Sequence, residues 1–143
     1  MGNSNAGAGI FHVSEAANLA LHAMAVLAAS DGQPVRTREV ATGLKVSPTH
    51  LAKVMAMMER AGLVKGTRGP TGGYQLTRPA SRISVAEVYE AVEGPLAGGR
   101  CVFDIPICDG TRCVLGGYFR RISREAAGKL RKTKLSEIAL ELQ

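Results

Sequence analysis

The sequence predicts a mainly α fold: a winged helix-turn-helix with a two-stranded wing, plus a long C-terminal dimerisation helix. Three observations carry this. Two short helical patterns, joined at Lys45-Val46, run straight into Arg68-Gly69-Pro70-Thr71-Gly72-Gly73-Tyr74, a glycine-proline hairpin tip that bears an arginine. Residues 33–78 hold eight basic side chains and two acids, so this segment accounts for the whole net charge of +6, and the remainder balances at ten and ten. A further helical pattern beyond the wing has a single apolar seam, as an arm that pairs with a second copy would.

The elements follow in chain order. Ser14 is placed to cap a first helix running to about Ala29. Ala17, Leu19, Ala20, Leu21, Ala23, Met24, Val26 and Leu27 cover nearly its whole circumference, which predicts a central, buried helix. Asp31-Gly32-Gln33-Pro34 ends it. A second helix is expected from Thr37, as N-cap, to Leu44. Ser47 then caps a third helix, with Pro48 at its first position, where the missing N–H costs nothing. Leu51, Val54, Met55 and Met58 form its core stripe. Thr49, His50, Lys53, Met57 and Arg60 form its outer face. Gly62 suits the left-handed position after a helix. Leu63–Lys65 and Tyr74–Thr77 read as paired strands. Ser84 and Glu87 make a capping box for a fourth helix to about Glu93, lined inside by Val85, Val88, Tyr89 and Val92. A long helix from Gly116 to about Arg131 carries Leu115, Phe119, Ile122, Ala126 and Leu130 as its seam. A last short helix, Leu135–Leu142, is expected to fold back on the winged domain.

Composition removes several classes of function. A chain of 143 residues with 45% hydrophobic content can pack a core, but 4% aromatic content and no Trp argue against a stacking platform for single strands. The longest apolar run, Leu19–Ala29, is too short for a bilayer, which needs about 20 residues. No basic stretch precedes an apolar one, so a secretion leader is not expected. Met1-Gly2 is followed by Ala6 where a myristoylation motif has Ser or Thr. No nucleophile triad, phosphate loop or paired-carboxylate signature stands out, so an enzyme is not expected.

Cys101, Cys108 and Cys113 fall within thirteen residues as C-x6-C-x4-C, in a stretch, 94–115, without helical or strand pattern. An odd count without a leader argues against a disulfide framework and points to the cytoplasm. Zinc favours closer pairs, often with histidine; the chain's histidines are His12, His22 and His50, none in or after the loop. Soft thiolates on a glycine-containing loop suit an iron–sulfur cluster better. A fourth ligand must come from elsewhere. His22 on the first helix is a candidate, and it also reads as a core histidine; Asn18, Asp104 and Asp109 are other options. Free redox-sensing thiols are the alternative use of the cysteines.

These residues together resemble the IscR/NsrR-type winged-helix transcriptional regulators, the Rrf-two family. The resemblance covers about Phe11 to Leu140. It rests on Gly62-Leu63-Val64 followed by Arg68-Gly69-Pro70-x-Gly72-Gly73-Tyr74, on Val46-Ser47-x-x-x-Leu51, on the three cysteines before the long helix, and on Leu135-Ser136-Glu137-Ile138. It implies a homodimer whose long helices cross, bound to double-stranded DNA at a palindromic promoter site. It implies reading residues Ser47, Thr49, His50 and Lys53, with Arg68, Gly69 and Pro70 in the wing. It also implies a cluster of 2Fe–2S or 4Fe–4S type on Cys101, Cys108 and Cys113, reporting iron, nitric oxide or redox state. In some members the fourth ligand is a histidine at the position of Gly116; in others it comes from the first helix, at the positions of Asn18 or His22.

The expected protein is a cytoplasmic regulator, in the first instance a repressor, with Arg36, Lys65 and Arg68 contacting phosphates. Its parts are a flexible tail (1–10), a winged helix-turn-helix DNA-binding domain (11–93), a cysteine-bearing sensor loop (94–115), and a dimerisation helix with a C-terminal helix (116–143). Two rivals are a cluster-free, thiol-based or metabolite-responsive regulator and a winged-helix module that binds protein.

Overall fold

The computed structural model describes residues 12–96, 107–113 and 115–142. The tail expected over 1–10 and Cys101 lie outside them, as does much of the expected sensor loop. Five helices are described: α1 (Glu15–Ala29), α2 (Thr37–Leu44), α3 (Pro48–Arg60), α4 (Val85–Glu93) and α5 (Gly116–Lys132). Between α3 and α4, β1 (Val64–Thr67) and β2 (Gly73–Leu76) form an antiparallel hairpin in the register Val64↔Leu76, Lys65↔Gln75, Gly66↔Tyr74 and Thr67↔Gly73. Single 3₁₀ turns lie at Ala80–Arg82 and Leu135–Glu137.

Helix α1 is the centre of the molecule. Ala20, Ala23 and Met24 are completely buried, and α2, α3 and α4 all pack on it. The stripe on α3 is as expected, since Leu51, Val54, Met55 and Met58 are all buried. Local chemistry fixes where the helices start. The Ser14 hydroxyl accepts from Ala17 N–H at 3.1 Å, and the Ser47 hydroxyl accepts from His50 N–H at 3.0 Å with Pro48 beside it. Ser84 and Glu87 form the expected reciprocal box on α4. Val85 and Val88 are buried there, while Tyr89 and Val92 are half-buried.

Several expectations are corrected. Thr37 is the first helical residue of α2 and not its cap; Arg36 takes the cap position with no side-chain cap bond. The reason lies just upstream, where Val35 is held extended by a bridge to Tyr74. Met57 packs against the core and leaves the outer face of α3. His22 is exposed, so it is not a core histidine. Alanines make α1 look apolar all round, yet Glu15, Asn18 and His22 form one open polar stripe.

The last helix is also shorter than its periodicity suggests. Only Leu135–Glu137 turns, and the chain then runs on without helix. Backbone groups there are spent elsewhere: Leu135 N–H donates to Ile83 at 2.9 Å and Leu140 N–H to Ala25 at 2.9 Å. The segment nonetheless folds back. Leu135 is fully buried, and Ile138 and Leu142 pack on the core, with Leu142 resting against Gly43 of α2.

Helix α5 packs against α4. Ala127, one residue from the expected Ala126, is the buried contact. Phe119, Ile122 and Leu130 are half-buried, while Leu115 and Ala126 are exposed. Among the described residues, no helix is long and apolar enough to cross a membrane.

Glu87 links α4 to the segment after the wing through an ion pair with Arg78. Burial pushes its carboxyl up, but bonds from Ser84 N–H, Ser84 hydroxyl and Arg78 outweigh this and hold it below its ordinary value. A lowered carboxyl favours the folded state above the ordinary carboxylate range, and that support is lost as pH falls through the lower, folded value. Glu87→Gln is therefore expected to flatten the acid limb of a thermal-stability profile below about pH 5. An unchanged profile would show the pair to be inert. Both side chains are more than a third exposed, so the effect is expected to be small.

Candidate nucleic-acid interface

The open end of the molecule is formed by the N-terminal turn of α3, the start of α2 and the wing. On α3, Thr49, Ala52, Lys53 and Arg60 are exposed, and the spacing of about 3.6 residues per turn sets them on one side. Ser47 is exposed, but its hydroxyl oxygen is occupied with the cap, leaving the O–H to donate outward. His50 lies further round the helix. It is half-buried, with Nδ1 3.9 Å from Glu15 Oε1 at the start of α1. The structure therefore sets Thr49 and Lys53 together, and His50 to one side.

The wing is a stiff hairpin because its glycines sit where nothing else fits. Gly72 N–H donates to the Gly69 carbonyl at 3.0 Å, closing the tip. A Cβ on Gly72 would overlap the Thr67 carbonyl, and one on Gly73 would overlap the carbonyl of Val35. Gly69 has a φ of +105°, outside the usual range of other residues. The tip therefore presents Arg68, Gly69, Pro70 and Thr71, all exposed.

The wing is fastened to the rest of the domain along its length. Val35 and Tyr74 exchange both backbone hydrogen bonds at 2.8 Å, so residue 35 acts as a third short strand. The Arg36 guanidinium donates to the Pro70 carbonyl at the tip. Thr77 Oγ1 donates to the Gly62 carbonyl at 2.6 Å at the root. Glu59 Oε1, in the last turn of α3, accepts from Gly66 N–H at 3.1 Å. The Glu59 and Val35 contacts join residues 7 and 39 apart in the chain, and no local pattern in the sequence signals them.

Seven of the eight cations counted in residues 33–78 are exposed: Arg36, Arg38, Lys45, Lys53, Arg60, Lys65 and Arg68. Arg78 is the exception, half-buried against Glu87. An exposed basic surface that includes a hairpin tip fits a polyanion with grooves. The charge is not confined to that end, however. Helix α5 carries Arg120, Arg121, Arg124, Lys129, Arg131 and Lys132 against Glu125 alone, offset by acids elsewhere in the chain.

The cysteine segment meets the foot of α5. Cys108 is an exposed free thiol and Cys113 a half-buried one. Asp109 accepts from Thr111 Oγ1 at 2.7 Å and Thr111 N–H at 2.9 Å, which hold its carboxyl below its ordinary value. That carboxylate is committed to its own turn, which weakens it as a metal ligand. Ahead of α5, Ile107 is exposed; on α5, Tyr118 meets Phe119 edge-on at 6.1 Å and stacks under Arg121 at 5.6 Å.

A pocket of about 230 Å³ opens on α1, lined by Glu15, Asn18, Leu19, His22, Leu44 and Val46. His22 Nδ1 lies 2.7 Å from the Asn18 carbonyl, which suits the tautomer with Nδ1–H donating and Nε2 open as a ligand. Among the described residues, no three His, Cys, Asp or Glu side chains converge as a metal site. Two free, unpaired thiols in a short turn fit the soft-ligand chemistry of an iron–sulfur cluster.

Residues 13–141 match the profile of the Rrf2 family, described as an iron-dependent transcriptional regulator. The HTH-type transcriptional regulator IscR of Xenorhabdus nematophila is 31% identical over 130 residues, covering 91% of this chain and 75% of that protein. Among solved structures, T. potens IscR is 27% identical with a TM-score of 0.71, over 92% of this chain and 88% of its own. CymR, the global cysteine regulator of B. subtilis, has the same fold, with a TM-score of 0.78 at 24% identity over 91% of this chain and 97% of its own.

Proposed function

The chain belongs to the Rrf2 family of helix-turn-helix, DNA-binding transcriptional regulators, a class without enzymatic activity, and we propose that it acts as a cytoplasmic homodimeric repressor controlled by an iron–sulfur cluster. The observation that carries the DNA-binding part is the exposed basic end, where α3 and a braced wing stand side by side. Thr49 and Lys53 would meet base edges in a major groove, with Ser47 and His50 at the margin of the same turn. Arg68, Gly69 and Pro70 would follow the neighbouring groove, and Arg36, Lys65 and Arg68 would hold phosphates. A second copy, paired through the seam of Phe119, Ile122 and Leu130, would set two reading heads about 34–36 Å apart on a palindromic site.

Cys101, Cys108 and Cys113 would hold the cluster, with His22 Nε2 as candidate fourth ligand. A cluster of 2Fe–2S or 4Fe–4S type supplies a group that iron supply, oxidants or nitric oxide can alter. Support comes from the family's description as iron-dependent and from the free thiols at the foot of α5. Thiol ligation would tie the segment 94–115 to α5, the element that sets the spacing of the two reading heads. Release would let that spacing relax and DNA affinity change.

Anaerobically purified protein is expected to be brown, with stoichiometric iron and sulfide. Cys108→Ala and Cys113→Ala are each expected to be colourless and to bind the promoter duplex as the cluster-stripped protein does. The exposed Cys108 thiol favours a second reading, direct thiol sensing. Colourless wild-type protein, with DNA affinity that responds to oxidant and is restored by thiols, would replace the cluster with that reading.

A further inference from the structure

Only two acids, Glu39 and Glu59, stand in the basic segment 33–78. Glu59 is exposed in the last turn of α3, beside Arg60 and the wing. That position is doubly unfavourable for a carboxylate. It faces the negative end of the helix dipole, and it would stand near phosphates.

Its side chain has one described hydrogen bond, accepted from Gly66 N–H at 3.1 Å. Gly66 lies midway along β1, opposite Tyr74. A Cβ there would fall 3.4 Å from the same carboxylate oxygen and 3.2 Å from the Tyr74 ring, so helix end, strand and ring converge on one glycine. The Tyr74 hydroxyl is pushed up, first by burial and then by the Glu59 charge, which places that charge close to the ring. The Arg36 contact to Pro70 grips the hairpin at its tip, whereas Glu59 grips it at mid-length from the reading helix itself.

We infer that Glu59 is a positioning residue for DNA recognition: its carboxylate sets the angle between the reading helix α3 and the wing, so that Arg68 and the α3 side chains reach successive grooves together. This rests on the DNA-binding reading of the wing given above. A strut and a bare negative charge predict opposite signs. Removing a charge near phosphates tightens binding, whereas removing a strut loosens binding to the correct site.

The test uses full-length wild-type protein, Glu59→Gln, Glu59→Ala, Arg68→Ala and the Glu59→Ala/Arg68→Ala double variant. The probes are a duplex selected by the wild-type protein from a random pool, and a random duplex. Thermal melting of each variant checks that it is folded. Glu59→Ala is expected to weaken the selected duplex about fivefold and to leave the random duplex unchanged or tighter. Glu59→Gln, which keeps an oxygen acceptor, is expected to bind at least as well as wild type. On the Arg68→Ala background, Glu59→Ala is expected to have no further effect. Equal tightening by both Glu59 variants would overturn the inference while leaving the wing in place. So would a fivefold loss that persists without Arg68. If Arg68→Ala alone costs nothing on either duplex, the wing reading falls and the inference with it.

Discussion

Alanine at Arg36, Lys65 and Arg68 together is expected to reduce the salt dependence of duplex binding by about 2.7 logarithmic units per subunit. Each phosphate contact releases about 0.9 of a counterion from B-form DNA, and the slope of log affinity against log salt counts those contacts. Extrapolated from 1 M, where the term vanishes, the same slope corresponds to a loss of about 500-fold per subunit at 0.1 M salt. All three side chains are exposed on the same end as α3 and the wing. Arg36 gives one of its N–H groups to Pro70, yet a guanidinium has five to give. Arg78 is the internal control: it belongs to the same basic segment but is spent on Glu87, so Arg78→Ala is expected to leave the slope unchanged. Salt titrations by fluorescence anisotropy decide the matter. A triple variant with the wild-type slope would remove the electrostatic basis of the proposal.

The second large effect is expected from Gly73→Ala. A methyl group there would sit inside the Val35 carbonyl, at a φ of +152°. The bridge from Val35 to Tyr74 would have to open, giving up two backbone hydrogen bonds of 2.8 Å. Strain and lost bonds together are expected to cost about 2–4 kcal/mol, which for a chain of this size lowers the melting temperature by roughly 5–12 °C. Binding to a specific duplex should fall further than stability does, because the wing would no longer be held to the segment that leads into α2. Gly69→Ala makes the comparison: its Cβ would meet open space, so only the cost of its dihedral applies, about 1–2 kcal/mol. Similar melting temperatures for Gly73→Ala and wild type would mean that the hairpin tolerates the methyl and that the bridge is dispensable.

What could be read from the sequence was what the chain decides locally. Ser47-Pro48 and the Ser84–Glu87 pair mark helix starts because the capping atoms are at most three residues from the groups they satisfy. Leu51, Val54, Met55 and Met58 mark a buried face because the period of the helix is fixed. The failures are each non-local. Leu135, Ile138 and Leu142 have helical spacing, but hydrogen bonds to Ile83 and Ala25 draw the backbone into another shape. His22 was obscured by the alanines of α1, which give no clue to which side of a helix is left open. At the candidate interface, residue type and charge picked out side chains that the structure leaves exposed, but the contacts that brace them had no signal in the sequence. Glu59 looks like a stray acid until Gly66 is seen beside it.

The run from Leu135 to Leu142 works as a strap: buried at Leu135, pinned to Ala25, and ending against Gly43. Whatever is attached beyond it emerges next to α2 and not at the far end of α5. A purification handle or fluorescent fusion placed there would stand beside α2, which leads directly into the proposed reading helix α3. Assays that compare tagged and cleaved preparations would then register the difference as an apparent change in promoter affinity.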